Sequence, residues 1–272
     1  MTTLFSSIRQ GCARAWNWRG FVLASVSREL RARYARSLFG WAWLLLPPIV
    51  LIAIYTLVFS RMMRGAGVPD LGPYSYSVFL CAGMLTWQWF AELLSRVVGL
   101  YTQHATLIKK TAVPLPALLA ADVLVTSFGL VVQLALFALL LLVLGLWPGW
   151  QALLFLPLLF TQGLLAVGLG LGLSVLHVFF RDVGMGLSLV LQVWFWLTPI
   201  VYPVAAIPAD FHDLLAWNFV TPLVQAYQAV VTQAVPSIDW RGVAWVLVLA
   251  LLALAGSLRL MRRNRTLIRD EI

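Results

Sequence analysis

Long stretches of this chain carry no charged side chain, among them Trp41–Ser60, Tyr74–Ala91, Val123–His177 and Val183–Ala209. A bilayer's hydrocarbon core, about 30 Å thick, needs roughly 20 consecutive apolar residues per helix, so such runs read as membrane spans. A soluble globular domain is about a quarter charged. Here the charged share is 11% against 62% hydrophobic, which excludes an ordinary water-soluble core. Val123–His177 is long enough for two spans, and Trp147-Pro148-Gly149-Trp150 at its middle reads as a turn with interfacial tryptophans. The fold class is an all-α polytopic membrane protein.

The formal charge of +9 sits mainly at the two ends. Arg9, Arg14, Arg19, Arg28, Arg31, Arg33 and Arg36 precede the first span, and Arg259, Arg262, Arg263, Arg265 and Arg269 close the chain. Such arginines mark the cytoplasmic side of a membrane protein, so no nucleic-acid partner is inferred from them. Six spans are predicted: Trp41–Ser60, Tyr74–Gly99, Leu115–Trp147, Trp150–His177, Val183–Val201 and Val243–Leu258. They put both basic ends on the cytoplasmic face together with Lys109, Lys110 and Arg181, leaving Arg61, Arg64 and Arg241 outside.

Leu214–Val235 is uncharged but holds Asn218, Thr221, Pro222, Gln225, Gln228, Thr232 and Gln233. A seventh span there would put the arginine tail outside, so the segment reads as helix pieces that enter the outer leaflet and turn back. Irregular backbone at that depth is tolerated only beside protein or a water-filled cavity. Residues 1–40 read as a basic interface segment, because Phe5, Ile8, Cys12 and Trp16 share one helical face against membrane lipids. The expected organisation is therefore 1–40 interface, 41–260 transmembrane, and 261–272 a basic tail. No secretory signal peptide is apparent, since Phe21–Val26 is too short an apolar core.

Chemistry is sparse. Cys12 and Cys81 fall in different layers of this topology, so neither a disulfide nor a metal site is expected. There is no phosphate-binding loop, and the two lysines are adjacent at Lys109 and Lys110. No catalytic residues are assigned. Glu92 has Arg96 one helical turn on as an i,i+4 partner, and Asp122 stands early in the third span. Aromatics are the positive signal: Trp87, Trp89 and Phe90 in the second span, then Trp194, Phe195 and Trp196 in the fifth, with Tyr202 after them. They read either as an interfacial belt or as flat faces on which sugar rings slide. Gly168 and Gly172 form a small-xxx-small pair suited to helix packing. Thr198-Pro199, Pro203 and Pro208 break the fifth span near its outer end.

Three segments in order resemble the membrane subunit of ABC-2 class ATP-driven exporters, within them the permeases for O-antigen and related lipid-linked polysaccharides. These are Arg28–Tyr34 with Leu38–Trp43 after it, Thr106–Pro114, and Val178–Asp182 leading to Trp194–Tyr202. The resemblance implies a type V exporter architecture: a homodimer of six-span subunits over two copies of a cytoplasmic ABC ATPase, in a bacterial inner membrane with both termini cytoplasmic. ATP and Mg would be bound by that partner, with no cofactor in this chain. It implies a coupling helix at about 101–114, acting through Leu107, Ile108, Lys109, Lys110, Thr111, Val113 and Pro114, and outer gate helices at about 203–235. The segment departs from the family at Val113-Pro-Leu-Pro116. Arg28, Arg31 and Arg33, with Tyr34, are placed to meet a lipid diphosphate, which arginine binds in bidentate fashion. The expected activity is export of polyprenyl-diphosphate-linked O-antigen to the periplasm. The alternatives are a capsule or teichoic-acid exporter permease, or a membrane-embedded transferase acting on lipid-linked sugars.

Overall fold

Backbone N–H and C=O groups inside a bilayer must find partners within the protein, so long apolar runs fold as helices. The computed structural model describes residues 18–34, 42–59, 72–110, 113–206 and 217–264, with isolated positions at 68, 208, 210, 215, 267 and 271. All regular structure among them is helical. Phe5, Ile8, Cys12, Trp16, Arg61, Arg64, Thr111, Arg265 and Arg269 lie outside the described residues, as do the side chains of Arg33 and Tyr34.

In chain order the helices are α1 (Arg19–Tyr34), α2 (Ala42–Ile54, continued by a wider turn over Tyr55–Phe59), α3 (Ser75–Val98), α4 (Leu100–Gln103), α5 (Ala105–Lys110), α6 (Leu115–Val143), α7 (Phe155–Phe179), α8 (Asp182–Leu197), α9 (Thr221–Val231) and α10 (Trp240–Arg263). Among the described residues four are long and apolar enough to cross a membrane: α3, α6, α7 with the turn from Gly149 that precedes it, and α10. Two shorter apolar helices, Leu45–Leu57 and α8, accompany them.

The axis of the bundle is α3, which is buried along most of its length and packs against α6, α7, α8 and α9. Small residues let the other helices close in. A Cβ on Gly168 of α7 would lie 2.9 Å from the Leu254 backbone nitrogen of α10, and one on Gly170 would lie 2.7 Å from Val97 of α3. The Ser257 hydroxyl of α10 donates to the Gly168 carbonyl at 2.6 Å. One glycine-rich helix thus serves two neighbours, with Gly168 and Gly172 turned to α10 and Gly170 turned to α3.

At the other side, α1 runs along the first turns of α6. Val22 packs with Ala117 and Ala121, and Leu30 with Val125, while Val26 bridges the two groups. Met261 of α10, Tyr101, Ile108 and Val178 share a cluster, which puts α4 and α5, the α7–α8 turn and the end of α10 at one end of the bundle. This is the basic end.

Two expectations are refined. The fifth predicted span is helical, as α8, only to Leu197 rather than Val201, because Thr198 is extended (ψ 135°) ahead of Pro199. Among the described residues of Leu214–Val235, α9 is a helix of 11 residues. At 1.5 Å per residue it spans about 16 Å, too short to cross.

Candidate functional site

A helix that ends inside a bundle leaves its last carbonyls without partners. At the end of α8 these are answered by side chains from the segment that follows. Asn218 donates from Nδ2 to Thr198 Oγ1 at 2.8 Å and to the Leu197 carbonyl at 3.2 Å, while its Oδ1 accepts from the Trp194 indole at 2.9 Å. Gln228 of α9 donates to the Pro199 and Ile200 carbonyls at 3.1 and 3.2 Å. The Tyr76 hydroxyl donates to the Val201 carbonyl. Behind them Tyr227, fully buried, donates to Gln162 Oε1 at 2.8 Å, and Gln162 donates to the Thr86 carbonyl at 3.2 Å. The polar residues that disqualify Leu214–Val235 as a span are thus partly the caps that allow α8 to break. Tyr202, beyond the break, donates to the Trp196 carbonyl at 2.6 Å, and burial holds its phenol above the ordinary range.

The aromatic residues meet one another. Trp194 lies edge-on to Trp87 (5.8 Å between centroids, 84°), Phe90 (5.6 Å, 86°) and Phe219 (5.1 Å, 67°). Phe195 contacts Trp87 at 6.1 Å and Trp196 at 5.2 Å. Trp87, Trp89 and Phe90 are 5%, 7% and 0% exposed, so within the chain their faces are occupied by protein. Trp89 lies along Gly163, where a Cβ would come within 3.0 Å of the indole. The aromatic face open to a ligand narrows to Trp196, 61% exposed, with Phe195 and Tyr202 half-buried.

Trp196 continues a stripe that aromatic counting missed. Ser188 and Gln192 precede it at four-residue steps on the uncovered face of α8, and all three are exposed. The available signal was the 188/192/196 spacing, which puts polar and aromatic groups on one helical face.

At the basic end, the segment expected to couple forms α4 and α5. Leu107 and Ile108 are half-buried, Lys109 and Lys110 are exposed, and Val113 and Pro114 are half-buried before α6 begins. Ile108 packs with Tyr101 and Val175, and Val113 packs beside Val22 of α1. Arg28 and Arg31 are exposed on α1.

Beside them is an ion cluster that the sequence reading left as separate pieces. Arg96 lies 2.8 Å from Glu29, 3.3 Å from Glu92 and 3.8 Å from Asp122. His104 Nε2 lies 3.3 Å from Asp122. Glu92 and Asp122 are therefore joined through Arg96. Only the i,i+4 pair was legible, because the other partners come from distant segments.

The profile of the ABC-2 type transporter family matches residues 21–232, from α1 through α9. The chain belongs to that family. This ABC-2 chain is a multi-pass membrane protein, and its curated relatives are named as transport proteins. It is 30% identical over 217 residues to an O-antigen export system permease protein of Myxococcus xanthus, covering 79% of this chain and 81% of the relative. A Klebsiella pneumoniae O-antigen export system permease protein is 25% identical, covering 81% and 83% respectively. A polysialic acid transport protein of Escherichia coli is 27% identical, covering 74% and 76%. The matched ABC-2 region contains both the broken α8 with its caps and the ion cluster at the basic end.

Proposed function

We propose that this chain is the permease subunit of an ATP-driven exporter that moves O-antigen polysaccharide, carried on a polyprenyl diphosphate, from cytoplasm to periplasm. The relatives' names support the cargo class. The observation that carries the mechanism is the exposed Ser188–Gln192–Trp196 stripe on α8. An amide facing lipid has no partner and is costly, so polar groups on spans face other helices or a water-filled cavity. A hydroxyl, an amide and a flat indole in one line are groups that a passing sugar chain can use in succession.

In this reading six spans cross the bacterial inner membrane with both termini cytoplasmic. A second copy of the chain closes the path on the uncovered side of α8. Two ABC ATPase subunits bind under α4 and α5, holding ATP and Mg themselves. Arg28 and Arg31, exposed on α1, meet the lipid diphosphate together with Arg33 and Tyr34, and the 203–235 segment forms the outer gate. The polysialic acid relative supports a second reading, a capsular polysaccharide as cargo for the same architecture.

Co-expression with an ABC ATPase, purification and reconstitution into vesicles tests the proposal. Polyprenyl-diphosphate glycan should become exposed on the far side only with ATP and both subunits. ATP hydrolysis with no glycan movement would refute the assigned cargo.

A further inference from the structure

The ion cluster joins four segments of the chain. Glu29 belongs to α1, Glu92 and Arg96 to the last turns of α3, His104 to the junction between α4 and α5, and Asp122 to the second turn of α6. Arg96 and Asp122 side chains are 16% and 3% exposed, whereas Glu29, at 38%, sits at the rim. Removing one side of a buried ion pair leaves an uncompensated charge, so this centre resists being pulled apart. Arginine suits it, because a planar fork of five N–H donors can serve several carboxylates while an ammonium acts as one point charge.

We infer that His104, Asp122, Arg96 and Glu29 form a rigid joint, through which motion delivered to the coupling segment at α4–α5 is passed to the surface helix α1. His104 holds the coupling segment to Asp122 of α6, and Arg96 passes the tie to Glu29 of α1. The apolar seam of Val22, Val26 and Leu30 on Ala117, Ala121 and Val125 keeps α1 and α6 aligned while the joint sets their register with the coupling segment. These four act as positioning residues. The consequence for export rests on the function proposed above, but the mechanical claim does not.

Two measurements separate these claims. Spin labels at Ala32→Cys and Thr106→Cys, both exposed positions, report the distance between α1 and the coupling segment in the chain–ATPase complex, in a background lacking Cys12 and Cys81. In the otherwise native protein one narrow distance should persist with and without ATP, because both elements move as one body. In Glu29→Gln or His104→Gln it should broaden when ATP is added. A distance that already shifts with ATP in the native background, or variants that keep the narrow distribution, overturn the joint.

The second measurement is glycan exported per ATP hydrolysed. Coupling energies between sites commonly correspond to about fivefold or more, so Glu29→Gln and Asp122→Asn should each lose about that much. Groups acting as one unit are non-additive, so the Glu29→Gln/His104→Gln double variant should be no worse than its worse parent, and multiplied losses refute the unit. Arg96→Lys should fall between native and Arg96→Gln. If Asp122→Asn fails to assemble, the rim variant Glu29→Gln decides. A native complex that keeps the narrow distance yet moves no glycan sinks the cargo assignment and leaves the joint standing.

Discussion

Asn218 holds Trp194 by a 2.9 Å hydrogen bond from the indole N–H to the amide oxygen, and so pins the segment after the break to the helix before it. The same amide answers the Leu197 carbonyl and the Thr198 hydroxyl. Asn218→Leu should therefore cost about 1–3 kcal/mol for each buried polar group left without a partner. Asn218→Asp keeps the acceptor for Trp194 but loses the donor, and should fall between. Thermal unfolding of the purified complex checks this, and an unchanged midpoint in Asn218→Leu would show that the cap does not stabilise the break.

The aromatic residues should divide into two groups. Truncating a buried aromatic costs about 3–5 kcal/mol, so Trp87→Ala and Phe90→Ala should lower the yield of assembled complex while export per assembled complex holds. Trp196→Ala and Gln192→Leu should do the reverse. A lost base–aromatic stacking contact is worth about 1–3 kcal/mol, an upper guide for sugars, and about 1.4 kcal/mol corresponds to tenfold in rate. Trp196→Phe should be milder than Trp196→Ala. Export normalised to assembled complex distinguishes the groups, and a normal rate in Trp196→Ala would remove the stripe from the path.

Glycine replacements should follow the helix contacts. Gly168→Leu places a side chain where a Cβ already meets the Leu254 backbone nitrogen at 2.9 Å, and should prevent α7 and α10 from closing. Gly256→Ala meets nothing within 4 Å and should leave assembly intact. Size-exclusion profiles of the two variants provide the comparison.

Topology predicts labelling. Single cysteines at Thr3, Val68, Ser237 and Arg269, in a background without Cys12 and Cys81, should react with an impermeant thiol reagent from outside the cell only at positions 68 and 237. Outside labelling at position 269 would refute the six-span count.

Lys109 and Lys110 are exposed on α5, as a docking surface for a soluble subunit requires. Replacing both by Ala should weaken stimulation of the ATPase subunit without loss of chain assembly, and the native stimulation should decline as salt screens the contact. Stimulation that survives the double replacement would place the ATPase contact elsewhere.

What the sequence determined is what depends on consecutive residues. Spanning follows from the summed transfer energy of about 20 neighbours, so the helices Ser75–Val98 and Leu115–Val143, and the uncharged stretch Val243–Leu258 within Trp240–Arg263, were legible as apolar runs. Trp147-Pro148-Gly149-Trp150 marked the turn before Phe155–Phe179, and Thr198-Pro199 marked the break, because turn and breaker chemistry is also local. The tertiary structure alone decided which face of each helix met protein. Trp87 and Trp196 look alike in the sequence, yet one is 5% and the other 61% exposed, because neighbouring helices cover only the first. Asp122, an isolated acid in the sequence, became the partner of Arg96 and His104 once α3, α4 and α6 converged. Ion pairs and side-chain caps act over a few ångströms, and only the folded chain brings residues so far apart in sequence within that reach.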